Sequence, residues 1–347
     1  MRVIPMMMPE LVDEWFESEL LRSAVSAAGI HHITLGPFAA ATGYNLLHQH
    51  VYSDCVFHNA HFVKGGTGNL AETLLKSAES AGVEIRTSST VQSIDVANGV
   101  CSGVTLEGGE TITAAKVVSG LDPTHTFIKL VGPAELNPSF FTQVRNIKYR
   151  GSAVRIHFAL NSLPEIKGVS QDQMGTVFSV SPSIKYIERA ADAAKYGRIA
   201  EDPYVEFTIP SLINPDFAPD GKHVLSATVQ YAPYHLRGQN WTDDLKDQCK
   251  NNVVATLENY IPGFSAQIKS SAVFSPMDLE NKFGLTEGNL NHGEMTLDQF
   301  FFMRPTISSA QYKSPIENLY LCGPGTHPGG GIHGTNGFNA AQEILKQ

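Results

Sequence analysis

The stretch LYLCGPGTHPGGGIHGTNGFNAA, residues 319–341, sets three patterns in succession. An apolar run, Leu319 to Cys322, is followed by glycines at 323, 325, 329, 330, 331 and 334, and then by Phe338, Ala341, Ile344 and Leu345 at helical spacing. A short apolar run of this kind suits a buried parallel strand. Glycines then let bare backbone approach a ligand, and the start of the following helix points unpaired N–H groups at it. The order strand, glycine loop, helix suits a phosphate or a flavin ring, although tight turns also call for glycine. The loop lacks the lysine of GxxxxGK[ST], and no GxSxG occurs anywhere in the chain. An ordinary phosphate-binding loop and the nucleophile elbow of an α/β-hydrolase are therefore disfavoured.

Side chains near this loop offer further chemistry. His327 and His333 flank the glycines, and imidazole changes charge near neutral pH. Each either steers a proton beside a ligand or plays a plain part, His327 packing in the loop and His333 lying in solvent. Phe300, Phe301, Phe302 and Met303 precede Arg304-Pro305. Read as a strand, they divide between an apolar tunnel and ordinary core. Arg304 pins a carboxylate or a flavin edge, or else joins a surface ion pair. Asp278, Glu280 and His292 form no recognised ligand set, so no metal is assigned, and no residue is assigned as catalytic. GTGNLA, Gly66 to Ala71, formally satisfies G-x-G-x-x-G/A, with Glu84 near where a ribose-binding acid belongs. The stretch before it, YSDCVFHNAHFVKG, makes a poor buried strand, so a glycine-started packing helix is expected there rather than a nicotinamide site.

These residues need elements to position them. Leu11, Trp15, Leu20, Leu21 and Val25 predict an amphipathic helix over 9–28, and Leu70, Leu74, Leu75 and Ala78 predict one that ends at Gly82. A strand is expected at 83–87, a small antiparallel meander over 90–113 with turns at Ala97-Asn98-Gly99 and Glu107-Gly108-Gly109, and a buried strand at 115–119. Further strands are expected at 152–160, 204–210, 223–231 and 267–275, and a long helix from Trp241. At 347 residues, two joined lobes are expected. With 42% hydrophobic and 17% charged residues the chain is globular, and 25 basic against 34 acidic residues disfavour a nucleic-acid partner. Cys55, Cys101, Cys249 and Cys322 are too widely spaced for a zinc site or a disulfide framework, which fits a reducing cytoplasm. No transmembrane segment is expected, although peripheral contact with a membrane is compatible with the sequence.

Three stretches together resemble the phytoene-desaturase-like flavoproteins: GGTGNLAETLLKSAESAGVEIRTSSTVQSI, SPMDLENKFGLTEGNLNHGEMTLDQFFFMRP and residues 319–341. The match runs from about residue 15 to the end, and the middle stretch is the most discriminating, since its spacing is more detailed than a generic flavin motif. The resemblance implies an FAD-dependent oxidoreductase acting on a lipophilic, carotenoid-like substrate by hydride transfer to the flavin. It implies that Val91 lies by the adenine through its backbone, and that Gly323, Pro324 and Gly325 approach the pyrophosphate and ribityl chain. It further implies that Gly330, Gly331 and Ile332 face the flavin ring and that Gly334 starts the last helix, whose positive end lies near the ring.

Two departures from that pattern stand out. Pro324 occupies a position where many relatives carry an acid, and residues 1–63 contain nothing resembling the strand, GxGxxG and helix that hold the ADP half of FAD. The expected fold is α/β. It combines an incomplete doubly wound FAD-binding lobe, from 64–133 and 301–347, with a mixed-sheet α+β substrate lobe from 134–300 and 1–63, the latter including a helical cap. The missing unit implies that the chain is a natural or cloned fragment, that the other half is a separate N-terminal chain, or that FAD has been given up, the alternative then being a flavin-free, catalytically silent binding protein; the incomplete sheet edge would also favour a homo-oligomer.

Overall fold

The computed structural model describes residues 2–50 and 62–346. In chain order the elements begin with α1 (Met8–Asp13), α2 (Glu19–Ala28), α3 (Thr42–Gln49), α4 (Thr67–Ser80), β1 (Val91–Ala97), β2 (Val100–Leu106), β3 (Thr111–Thr113) and β4 (Val117–Ser119). There follow α5 (Pro138–Arg145), β5 (Ala153–Leu160), β6 (Phe178–Val180), α6 (Ile184–Lys195), β7 (Tyr204–Thr208), β8 (His223–Gln230) and α7 (Asp243–Glu258). The last are α8 (Phe264–Gln267), β9 (Ile268–Phe274), α9 (Pro276–Phe283), β10 (Leu319–Leu321) and α10 (Thr335–Leu345). The chain gathers into two compact units, Met1–Ile85 with Gly151–Asp278, and Arg86–Arg150 with Leu279–Gln347.

The first unit is organised by a five-stranded sheet of order β6-β7-β8-β5-β9. Each of its four pairings is antiparallel, in a sheet expected to be mixed. Alternation along the strands decides its faces. Val154, Ile156, Phe158 and Leu160 of β5 join Val205 and Phe207 of β7 and Leu225, Ala227 and Val229 of β8 in one buried cluster. Helix α7 covers it with Cys249, Val253 and Leu257, one apolar stripe at i, i+4 and i+8. Thr242 starts that helix by accepting the Leu245 amide at 3.3 Å, and Ser183 starts α6 by accepting the Tyr186 amide at 3.1 Å.

The second unit holds two small sheets. The meander β1-β2-β3 is antiparallel, while β4 and β10 form a parallel pair in the register Val117↔Leu319, Val118↔Tyr320 and Ser119↔Leu321. Their core contains Ile94, Phe127, Phe140, Val144, Leu319 and Leu321, with Phe127 and Phe140 packed edge to face at 4.8 Å. Phe127 comes from a π-helical stretch, Thr124–Val131, closed by the Gly132 amide on the Phe127 carbonyl at 3.1 Å.

Three sequence expectations need correction. The segment 9–28 is two helices, because Ser18 is extended and the Phe16 carbonyl turns aside to accept from Arg22 Nε at 2.5 Å. Trp15 and Leu20 are therefore exposed, and Met8, Val12, Val25 and Ala28 form the buried face. Residues 83–87 form no strand, since no described segment offers them a ladder. Phe300–Met303 is not a strand either: Leu297–Gln299 and Phe301–Met303 are successive 3₁₀ turns. The strands at 91–119, β5, β7, β8 and β9, and helices α4, α7 and α10 lie within a few residues of their expected positions, whereas β6 of the large sheet has no counterpart among the expected strands.

Phe158 is fully buried and packs edge to face on Phe264 at 5.3 Å, whereas its neighbour His157 lies on the other face of β5. Phe158→Ala is expected to destabilise the first unit by about 3–5 kcal/mol and His157→Ala by under about 1 kcal/mol, read from urea midpoints.

Candidate functional site

The glycine loop leaves a buried strand. Leu319, Tyr320 and Leu321 are all buried, and the Cys322 amide continues the pairing with a bond to the Ser119 carbonyl at 2.9 Å. A methyl group on Gly323 would lie 2.4 Å from the Gly120 carbonyl oxygen, so two backbones touch where the strands end. Thr326 then closes a turn, its amide and hydroxyl donating to the Gly323 carbonyl at 3.0 and 2.8 Å. Asn336, in the first turn of α10, reaches back to the Thr326 carbonyl at 3.0 Å. Gly334 takes the left-handed conformation ahead of that helix, and the exposed His333 ring accepts the Thr335 amide at 3.1 Å. His333 is therefore a helix cap rather than a merely solvated side chain.

Beneath the loop lies Arg304, which is 2% exposed. Its guanidinium donates to the carbonyls of Pro324 at 3.2 and 2.9 Å, Gly293 at 3.1 Å and Gln299 at 3.4 Å, and also to that of Asn291. Burial lowers its pKa to about 10, so it stays charged at neutral pH. It thus pins main-chain carbonyls, and among the described residues neither a carboxylate nor a surface ion pair engages it.

The fit of this loop to FAD can be judged from its spare polar atoms. Some glycines are explained by the protein alone. A methyl on Gly325 would meet Pro123 Cδ at 2.9 Å, on Gly329 Met295 Cε at 2.5 Å, and on Gly330 Asn291 Oδ1 at 1.9 Å. Ligand approach is therefore not the sole reason for glycine at these positions. Yet among the described residues the amides of buried Gly325 and half-buried Gly330 donate to no protein acceptor, as do those of Gly331 and Ile332, which are exposed. Two buried ring nitrogens, His292 Nδ1 and His327 Nδ1, also lack a hydrogen-bond partner. Burial depresses the pKa of both imidazoles; for His327 nearby Arg304 adds to this, and for His292 Asp122 opposes it. Neutral rings and idle amides are what a flavin's heteroatoms require, so these residues fit the group.

His327 also packs as expected, its ring stacked on Phe301 with centroids 5.9 Å apart and its carbonyl accepting from Tyr312 Oη at 2.8 Å. Phe300 is core, whereas Phe301 and Phe302 line a cavity of about 880 Å³ together with Ile307, Tyr312 and His327. Val91 opens β1, paired with Leu106. At the N-terminus of α4, Gly65 donates its amide to Asn214 Oδ1 at 2.6 Å and Gly66 is left-handed, while the interrupted stretch YSDCVFHNAHFVKG lies mostly outside the described residues. Among the described residues no three His, Cys, Asp or Glu side chains come together as a metal site.

One buried group escaped the sequence reading. Asp122, in the GLDP that follows β4, accepts from the His125 amide and ring at 2.9 Å each, from Thr286 Oγ1 at 2.8 Å and from Tyr149 Oη at 3.2 Å. Burial alone would raise its pKa, but the bonds from His125 and Thr286 prevail and hold it below the usual carboxylate range. An acid just past the strand expected at 115–119 was the available signal, although β4 itself is only partly buried.

A family model described as flavin containing amine oxidoreductase matches residues 14–345. Pyridine nucleotide-disulfide oxidoreductase domain-containing protein 2 of Rattus norvegicus is 33% identical over 348 residues, which cover 97% of this chain and 60% of that protein. Phytoene desaturase (lycopene-forming) of Pantoea ananas is 28% identical over 94% of this chain and 63% of its own length. A limonene dehydrogenase polypeptide of Castellaniella defragrans is 28% identical over 83% and 56%. The chain therefore spans about 60% of the length of the curated relatives it matches. An oxidoreductase from Methanosarcina mazei superposes with a TM-score of 0.62 at 15% identity, over 98% of this chain and 68% of that one. A putrescine oxidase variant gives 0.62 at 12% identity, over 100% and 69%. At such identity these two structures speak for the fold.

Because the folded pKa of Asp122 is depressed, its stabilisation is complete above the unfolded value of about 3.9 and is lost as pH falls through the lower folded value. Asp122→Asn is expected to destabilise by about 1–3 kcal/mol at pH 7, with the gap to the parent narrowing on acidification below about pH 4 in urea titrations. Gly323→Ala should destabilise by about 1–3 kcal/mol through its clash with Gly120. Gly337→Ala, with open space around it inside α10, should stabilise by up to about 1 kcal/mol. Thermal midpoints of the two variants against the parent check both signs.

Proposed function

Because the chain belongs to the flavin containing amine oxidoreductase family, we propose that it serves as an FAD-dependent oxidoreductase on a lipophilic, carotenoid-like substrate. The observation that carries this reading is the set of idle amides and partnerless buried imidazole nitrogens along residues 292–332. Gly323, Pro324 and Gly325 would hold the pyrophosphate and ribityl chain, Gly330, Gly331 and Ile332 the ring, Gly334 the entry to α10, and the Val91 backbone the adenine. Pro324 offers no carboxylate to the ribityl hydroxyls, and its carbonyl is already taken by Arg304. Bound FAD would supply the hydride acceptor. The chain's own residues act by position: Arg304 fixes the loop, and the first turn of α10, whose Thr335 amide is taken by His333, presents the amides that remain to negative charge. Neutral His292 and His327 place ring nitrogens beside the loop without adding charge.

The apolar wall of Phe301, Phe302 and Ile307 supports a lipophilic substrate, as do the phytoene and limonene in the names of two relatives. The cofactor lobe is assigned to segments within 64–133 and 301–347, of which the parts from Arg86 onward fall in one compact unit. The substrate lobe is assigned to 1–63 and 134–300. We place at β4 the edge that receives a strand bearing GxGxxG. Among the described residues β4 pairs only with β10, and Val118 and Leu121 beside it are exposed. That strand would come from a separate N-terminal segment, or the edge would instead pair two copies of the chain. A cytoplasmic setting, with or without peripheral membrane contact, suits Cys101, Cys249 and Cys322, which are free, and the absence of any described helix long and apolar enough to cross a membrane.

A flavin-free binding protein is the second reading, favoured by the way Gly323, Gly325, Gly329 and Gly330 pack against the chain's own atoms. Reconstitution separates the two. The purified chain is incubated with excess FAD, alone and with the N-terminal portion of the rat relative added, and is then desalted. Visible flavin absorbance that stays with the protein, strongest in the supplemented sample, is expected. Colourless protein in both samples leaves the flavin-free reading.

A further inference from the structure

The second face of the five-stranded sheet is polar. Residues opposite one another across three adjacent strands put Arg155 of β5 beside Thr228 of β8, and Thr228 beside Glu206 of β7. The next row sets Ser226 beside Thr208. These side chains, with His31, His32 and Gln49 from the N-terminal segment, surround a cavity of about 270 Å³. Glu206 is already engaged: its Oε1 lies 2.7 Å from His31 Nε2 and accepts from Tyr204 Oη at 2.6 Å.

Arg155 is differently placed. Its guanidinium carries five N–H donors, yet among the described residues its one hydrogen bond goes to Thr228 Oγ1 and no carboxylate lies within ion-pair distance of it, Glu206 acting on it electrostatically from farther along the row. Its nitrogens are not among the buried atoms sealed away without a partner, so the remaining donors open onto the cavity. Glu206 offsets part of the charge of this half-buried guanidinium but is itself bonded to His31 and Tyr204, so an anion that meets the fork directly would satisfy the donors Glu206 does not reach. A carboxylate matches its planar fork, receiving two parallel N–H bonds, and the hydroxyls of Ser226 and Thr208 add further donors.

We propose that this cavity is a carboxylate-binding site, with Arg155 as the anchoring residue and a small organic acid, or the acid head of a longer aliphatic chain, as the ligand. The volume sits at the small end of ligand pockets, which run from about 300 Å³ upward, and so admits a head group rather than a whole large molecule. The site lies within the first unit and does not depend on flavin.

The test uses the full chain without added flavin. Butyrate and laurate, with butanol and dodecanol as uncharged counterparts, are titrated by calorimetry and by thermal midpoint. Saturable binding of an acid, absent for its alcohol, is expected. Arg155→Gln should weaken it about 10- to 100-fold, and Arg155→Lys should recover part of that loss because it keeps the charge but not the fork. Laurate much tighter than butyrate identifies the head of a fatty chain, and similar affinities identify a small acid. If Arg155→Gln does not fold, the comparison of the parent with Arg155→Lys decides. The proposal is overturned if neither acid binds the parent, if acids and alcohols bind alike, or if a folded Arg155 variant binds as the parent does.

Discussion

One buried cation organises the region from which function is read. Arg304 gathers the carbonyls of Asn291, Gly293, Gln299 and Pro324, drawing three stretches of irregular chain around a single guanidinium. Irregular backbone has no ladder to satisfy its carbonyls, and a fork with five donors does so in one stroke. Because the partners are neutral, the positive charge is dispersed rather than cancelled. That residual charge helps keep the neighbouring His327 ring neutral, while burial contributes the larger part.

The loop's glycines follow from this closeness. With Asn291 drawn in by Arg304 no room remains for a Cβ at 330, and Pro123 and Met295 close off 325 and 329. A glycine-rich signature therefore carries two messages that sequence cannot separate: the backbone approaches something, and that something includes its own fold. The unpaired amides lie along the same loop, and the two orphaned imidazole nitrogens are buried within it and beside it. The functional signal lies in which polar atoms are left over rather than in the glycines themselves.

The two arginines of interest make a useful contrast. Arg304 spends its donors on main chain and is architectural, whereas Arg155 spends one on a hydroxyl and turns the rest toward open space. Both occur in sequences that read plainly, Arg304 before a proline and Arg155 within an alternating strand. Adjacent residues do not distinguish them, because the acceptors of Arg304 come from turns 5 to 20 residues away and that of Arg155 from a strand 73 residues away.

Period and punctuation were legible without coordinates. Alternation marked β5, β7 and β8; glycine turns marked the meander; the LYLC run and the helical spacing after it marked β10 and α10, because local sterics and one-sided burial act over a few residues. What failed locally was also instructive. The apolar residues of 9–28 misled because a single turned carbonyl at Phe16 broke one helix into two, and Phe300–Met303 took tight turns in spite of strand-like composition. Tertiary structure alone decided that Asp122 is ringed by donors from His125, Tyr149 and Thr286, and that Arg304 faces carbonyls. It alone put Arg155, Thr228 and Glu206 in one row. The reason is physical: a side chain's charge state and purpose are fixed by what surrounds it in space, and those surroundings combine residues a few positions away with others, such as Thr286 beside Asp122, more than a hundred positions away.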